Sequence, residues 1–177
     1  MARDRELQEL LDKQAVHEVV LRYCRGVDRM DRELVRGCYH ADATDEHGTF
    51  VGTPDDYIEW AFDAVAKFEV TMHVVANHLC EIDAGDPDLA FAETYGLAYH
   101  QGPPADDKRR NFVTGFRFVD RFERRNGEWR IASRVTVREW THQITPDQQW
   151  HIKPDRDGRR GARDRTDAVY TIRLEHS

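Results

Sequence analysis

The sequence is short of most residues that common catalytic and binding motifs require. Only two serines occur, Ser133 and Ser177, which nearly excludes a Ser-His-Asp hydrolase. The three cysteines, Cys24, Cys38 and Cys80, are odd in number and show no CxxC spacing. Neither a disulfide framework nor a zinc ribbon is indicated. Cys24 lies along an apolar helical stretch, where a core thiol is the better reading than a nucleophile. Glycine-rich phosphate loops of the GxGxxG or GxxxxGK type are missing. None of the nine histidines falls in an HExxH pattern, and His40, His47, His142 and His151 sit in loops or at strand ends, so no metal is expected. No run approaches the ~20 apolar residues needed to cross a bilayer. Met1 to Leu7 lack the apolar core of a signal peptide, and a cytoplasmic location is expected. Positive charge is also in deficit. With 26 Lys and Arg against 33 Asp and Glu, the net charge is −7, which argues against generic binding to nucleic acid or anionic membranes.

What is present suits one domain. A chain of 177 residues, 40% hydrophobic and 33% charged, can bury a substantial core without staples. Leu7, Leu10, Leu11, Ala15, Val16, Val19, Val20, Tyr23 and Val27 recur at helical spacing and predict a first helix over about residues 5–27. Gly26 falls near its end, where glycine is favoured. Asp31 can cap a short second helix ending near His40, with Met30 and Val35 as a hydrophobic staple. Two brief strands are expected between Ala43 and Val51. Thr53-Pro54-Asp55-Asp56 then offers a cap, a first-turn proline and two acids, opening a third helix whose stripe is Tyr57, Ala61, Val65 and Phe68.

After residue 70 the period changes. Thr71 to Asp83, Leu89 to His100, Asn111 to Arg124 and Trp129 to Thr141 are rich in β-branched and aromatic residues and read as four long strands. Breaks are expected at Ala84-Gly85-Asp86-Pro87, at Gln101-Gly102-Pro103-Pro104 and at Asn126-Gly127, the last a strong hairpin signal. Helices first and an antiparallel meander second is an α+β pattern, most simply a curved sheet wrapped over the helices. Beyond Gln143 arginines alternate with aspartates, which reads as a solvated segment.

Three groups of residues could carry chemistry. With Val16 at the centre of the first helix's apolar stripe, Val20, Tyr23 and Val27 stay close to it, and Cys24 and Asp28 fall at its edge. Asp28 therefore either caps the helix in water or stands at the mouth of an apolar cavity, where it could orient a base. On a regular strand His73 shares a face with Val75, Asn77 and Leu79, while His78 shares the other with Met72, Val74 and Ala76. A histidine so placed is either structural or a base. Arg134, Thr136 and Arg138 share one face of the last strand, opposite Ile131, Ser133, Val135 and Val137. If that face lines a cavity, its arginines could stabilise a developing anion; periodicity does not choose.

Several short motifs in this order resemble a known family. They are Tyr23-x4-Asp28, the stretch from Arg32 to Ala43 closing on Cys-Tyr-His-Ala-Asp-Ala, Gly52-Thr53-Pro54, Met72-His73 with Asn77-His78, and Gly127-Glu128-Trp129-Arg130-Ile131. Together, over about residues 6–145, they are similar to the SnoaL-like branch of the nuclear-transport-factor-two-like superfamily, which includes polyketide cyclases, scytalone and bile-acid dehydratases and a dehydrochlorinase. The resemblance implies a cone-shaped, cystatin-like α+β barrel, in which a strongly curved antiparallel sheet wraps the N-terminal helices and leaves an apolar pocket at its open end. It also implies a catalytic Asp28–His73 pair, a phenol from Tyr23, and pocket-facing arginines at Arg134 or Arg138, with no metal or organic cofactor. The dehydrochlorinase has a lysine where Tyr23 stands, so the chain looks more like the dehydratases. The acid that some bile-acid dehydratases carry on the second long strand has no counterpart near Ala98 to His100.

The function expected on this basis is a cofactor-independent lyase or isomerase, dehydratase-like or cyclase-like. Its substrate would be a small apolar metabolite such as a polyketide, steroid or aromatic compound. The alternative is a non-catalytic ligand-binding or assembly subunit, similar to the β-subunits of ring-hydroxylating dioxygenases. Residues 1–145 would form the domain, and residues 146–177 a polar segment folding over the pocket, anchored by Trp150 or Tyr170. A homo-oligomer, trimer or dimer, is expected from an apolar outer sheet face carrying Phe116, Phe118, Val135 and Val137.

Overall fold

Val16, Val19, Val20, Tyr23, Cys24 and Val27 all lie buried along one stripe of the first helix, α1 (Ala2–Asp28). The computed structural model describes residues 2–105, 108–145 and 161–172. The leucines of the early turns, Leu7, Leu10 and Leu11, continue the stripe in sequence but stay exposed. Gly26 lies inside α1 and is not its terminator. A Cβ there would come within 2.6 Å of Val35 Cγ2, so glycine is what lets the next helix approach. The left-handed residue that ends the helix is Met30, with φ of 55°.

Asp31 caps the short α2 (Arg32–Arg36) by accepting the Leu34 N–H at 3.2 Å. This helix ends four residues before the expected His40. Tyr39 and His40 instead begin β1 (Tyr39–His47), because the Ile131 N–H donates to the Cys38 carbonyl and draws the chain into the sheet. After β2 (Phe50–Gly52), Thr53 caps α3 (Pro54–Val65), which buries Tyr57, Ile58, Ala61 and Phe62. Four long strands follow: β3 (Val70–Ile82), β4 (Leu89–Ala105), β5 (Lys108–Arg125) and β6 (Glu128–Ile144). Asn126 and Gly127, both at positive φ, make the β5–β6 turn. The break expected at Gln101 to Pro104 does not occur. A register shift between Gln101 and Pro104 accommodates the prolines, and β4 runs on to Ala105. A last short helix, α4 (Ala168–Thr171), is capped by Asp167.

The α+β class is as expected, but the cone-shaped, cystatin-like barrel is not. The six strands form one open sheet in the order β2-β1-β6-β5-β4-β3, neither closed nor strongly curled. Nor is it wholly antiparallel, since β1 runs parallel to β6. The physical reason lies at the edges. Closure would require β2, three residues long, to pair with β3, thirteen residues long. So short a strand offers too few ladder bonds for that. The helices consequently lie on one face of the sheet and are not enclosed by it.

Local irregularities decide which side chains reach that helix-covered face. A bulge between Val75 and His78 breaks the alternation along β3. His73, Val75, His78 and Cys80 thereby share the inner face, while Leu79, expected beside His73, is 62% exposed. Phe116 and Phe118 are buried on the inner face and are not part of the outer one.

Candidate active site

The end of α1 and the start of β3 meet at Asp28 and His73. Asp28 Oδ1 lies 2.7 Å from His73 Nδ1, and Oδ2 accepts the backbone N–H of the same residue at 2.8 Å. One carboxylate thus grips both the ring and the main chain of His73, which fixes the imidazole's position and tilt. An ionised carboxylate can only accept, so Nδ1 carries the proton and Nε2 keeps a free lone pair. Both side chains are largely buried. His73 in turn lines a cavity of about 430 Å3 that is open on one side.

The walls of that cavity are mostly apolar. Val27, Ala61, Ala64, Val65, Phe68, Ala98, Phe112, Phe116 and Phe118 supply them, and Trp60 stands near the opening. Polar groups enter at a few points only. Tyr23 and Tyr57 share a very short hydrogen bond between their phenol oxygens. Burial holds both phenols well above their ordinary pKa, so they act as proton donors and not as phenolates. One hydroxyl donates to the other, which leaves the second proton free. On the next strand, burial together with the neighbouring His73 pushes His100 down to about 4, and its ring stacks on Phe112 at 4.4 Å. On the opposite side, the His47 ring stacks on Tyr57 at 5.2 Å, with Nδ1 3.0 Å from Thr136 Oγ1 and 3.7 Å from Asp45 Oδ1.

The two arginine candidates part company. Arg138 lines the cavity and is exposed. Arg134, only 1% exposed, does not line it. Its Nε and Nη2 donate to the two oxygens of buried Asp120 at 2.8 and 2.7 Å. The guanidinium lies 3.8 Å from the Phe118 ring centre and 4.3 Å from that of Tyr23. It therefore sits behind the aromatic floor, where it supports Tyr23. Burial pushes the Cys24 thiol up to about 12, as suits a core residue.

The returning segment also reaches the site from behind. Arg163 donates to the carbonyls of Asp28, Val65 and Phe68. Tyr170 donates to Asp31 Oδ2 at 2.8 Å, and Arg165 lies 3.2 Å from Asp31 Oδ1. Residues 161–172 are thus docked and not the solvated run expected, although none of them lines the cavity. Trp150, the other expected anchor, lies outside the described residues.

Five residues at or beside the cavity escape sequence reading: Tyr57, His47, His100, Asp45 and Arg163. Tyr57 reads as core at helical spacing, and His47 as a loop residue. His100 did carry a signal, since it alternates with Ala98. Among the described residues no group of His, Cys, Asp and Glu is placed to hold a metal ion, and no helix is long and apolar enough to cross a membrane.

Comparison with known proteins bears on this arrangement. The sequence profile of the SnoaL-like domain matches residues 8–135, most of the chain. The chain belongs to the SnoaL-like family. No curated protein sequence matches it. Solved structures with the same fold include a hexachlorocyclohexane dehydrochlorinase from Novosphingobium barchaimii. It is 15% identical, with 78% of this chain and 94% of that one covered and a TM-score of 0.68. A candidate scytalone dehydratase from Novosphingobium aromaticivorans is 18% identical over 76% and 89% of the two chains, with a TM-score of 0.67. A candidate aromatic ring hydroxylase from the same species is 19% identical over 78% and 96%, with a TM-score of 0.66. At these identities the likeness is one of fold. Within the SnoaL-like fold, the site described here lies between the end of α1, α3 and the inner face of β3 to β6.

Proposed function

We propose that this SnoaL-like protein is a cofactor-independent lyase or isomerase of dehydratase type, acting on a small, largely apolar molecule. The observation that carries the reading is the 2.7 Å contact between the Asp28 carboxylate and Nδ1 of His73, whose ring lines an apolar cavity. In the proposed step, His73 Nε2 removes a proton from carbon beside a carbonyl. The C–H electron pair moves into an enolate, and Asp28 supports the imidazolium that forms. A phenol of the Tyr23–Tyr57 pair donates to the enolate oxygen. Collapse of the enolate expels a β-hydroxyl, which leaves as water after taking the proton back from His73. Protons and electrons balance, and no redox partner enters. Arg134 takes no direct part and positions Tyr23 from behind.

The rival reading, a ligand-binding or assembly subunit without catalysis, would leave Asp28 and His73 free to separate. Their doubly anchored contact favours the enzyme. The test is turnover on a panel of β-hydroxy carbonyl compounds. His73→Ala should cut it by about two to four orders of magnitude with the fold intact, and Asp28→Asn should lose activity too. Wild-type turnover by the alanine variant on any active compound would refute the reading.

We also propose a homo-oligomer, dimer or trimer, formed through the outer face of the sheet. Met72, Val74, Leu79, Phe91, Leu97 and Trp140 are exposed there. Light scattering that reports a monomer at micromolar concentration would contradict this.

A further inference from the structure

The cavity opening has a charge pattern opposite to that of the whole chain. The protein carries a net charge of −7, yet among the described residues no aspartate or glutamate side chain lines this cavity. Its two permanently charged lining residues are both cations, Lys67 and Arg138. Both are exposed, and neither has an ion-pair partner among the described residues. Arg117, Arg124, Arg125, Arg130 and Arg134 of the neighbouring strands each hold a carboxylate within 2.7 Å. Arg138 instead reaches past the β1–β2 turn, where a Cβ on Gly48 would lie 3.6 Å from its Nη2. His47, in the same turn region, also lines the cavity.

Resting on the lyase reading of the same cavity, we propose that this mouth is a carboxylate-binding site and that the substrate is an apolar acid. Its carboxylate would meet Arg138 and Lys67, while its body lies inward against Phe112, Phe116 and Tyr57, towards His73. The planar fork of Arg138 matches a carboxylate in shape. Lys67 adds a second charge from just beyond α3. Cations flanking an apolar hollow raise the local concentration of anions and fix the end from which a ligand enters. The arrangement has little of what a phosphate site needs, for among the described residues Gly48 is the only glycine in the lining and no helix N-terminus contributes to it. The orientation also has a chemical use. An acid held at the mouth presents the far end of its carbon skeleton to the base, and leaves the carbonyl of the reacting unit to the two phenols.

The experiment compares three probes that share one ring system: 2-naphthoate, 2-naphthamide and 2-naphthyl phosphate. Each is titrated into the full chain by isothermal calorimetry at low and high salt. We expect the carboxylate to bind at least about tenfold more tightly than the amide, and more tightly than the phosphate. The preference should shrink at high salt. Arg138→Gln and Lys67→Gln, both at exposed positions, should each weaken naphthoate by about threefold to tenfold while leaving the amide within about twofold. Equal binding of acid and amide would overturn the proposal. So would tighter binding of the phosphate, equal losses for both probes in the variants, or no binding of naphthoate at 1 mM, on the order of the weakest affinity a site this size should show. Neither Arg138 nor Lys67 takes part in the proposed proton transfer. Failure of the carboxylate preference would therefore leave the lyase reading standing with a neutral substrate. Loss of the lyase reading would show in turnover and not here.

Discussion

Replacing Asp120 by alanine should be among the most damaging single changes in the molecule. Both members of the Arg134–Asp120 pair are fully removed from solvent, and two parallel hydrogen bonds join them. Arg134 Nη1 already lacks a partner, so alanine at 120 would leave the guanidinium with none of its present charge-assisted bonds. Stranding one member of a buried pair costs about 3–5 kcal/mol, against a total stability of roughly 5–15 kcal/mol for a domain. At about 2–4 °C per kcal/mol for a chain of this length, the melting temperature should fall by roughly 6–20 °C. Replacing both partners by apolar residues, Asp120→Leu with Arg134→Met, should recover most of that loss, because no charge is then buried. Urea denaturation of the single and double variants, read as midpoint shifts at constant slope, measures both quantities. A loss below about 1 kcal/mol for Asp120→Ala, or a double variant less stable than the single one, would refute the reasoning. The double variant also separates roles. If Arg134 acts only by positioning Tyr23, it should retain measurable turnover while Tyr23→Phe in the native background loses a donor.

Two further outcomes follow from the histidines and the returning segment. Burial pushes His78 and His100 from 6.5 down to about 4, so both are neutral in the folded state while the unfolded chain still takes up protons. Stability is therefore fully present above pH 6.5 and falls as the pH drops towards 4. His100→Leu should flatten that slope by up to about 1.4 kcal/mol per pH unit, and an unchanged slope in melts across this range would count against a buried neutral His100. Arg163→Ala should remove three carbonyl contacts, cost about 1–3 kcal/mol, and expose residues 161–172 to limited proteolysis. Equal protease resistance of variant and native chain would show that other contacts hold this segment.

What the sequence determined by itself is whatever depends on neighbours within one or two turns. The stripe of Val16 to Val27 gave α1, Thr53-Pro54 gave the start of α3, and Asn126-Gly127 gave the last turn, since caps, turn geometry and periodicity act over a few residues. The same logic placed Asp28 on the shoulder of a buried face. Tertiary structure decided the rest. A bulge after Val75 moved His78 to the same face as His73, because one extra residue inverts an alternation that local pattern assumes regular. Arg134 and Arg138 are indistinguishable by period, and their fates diverged because buried Asp120 lies opposite one of them while the other reaches the cavity mouth. Whether the sheet closed depended on pairing between its two edges, β2 and β3, about twenty residues apart along the chain. No local signal reports such a pairing, and a three-residue edge cannot sustain it. The 2.7 Å approach of Asp28 to His73 is of the same kind: it joins the end of a helix to a strand forty-five residues later, and only the packing of α1 onto β3 brings them together.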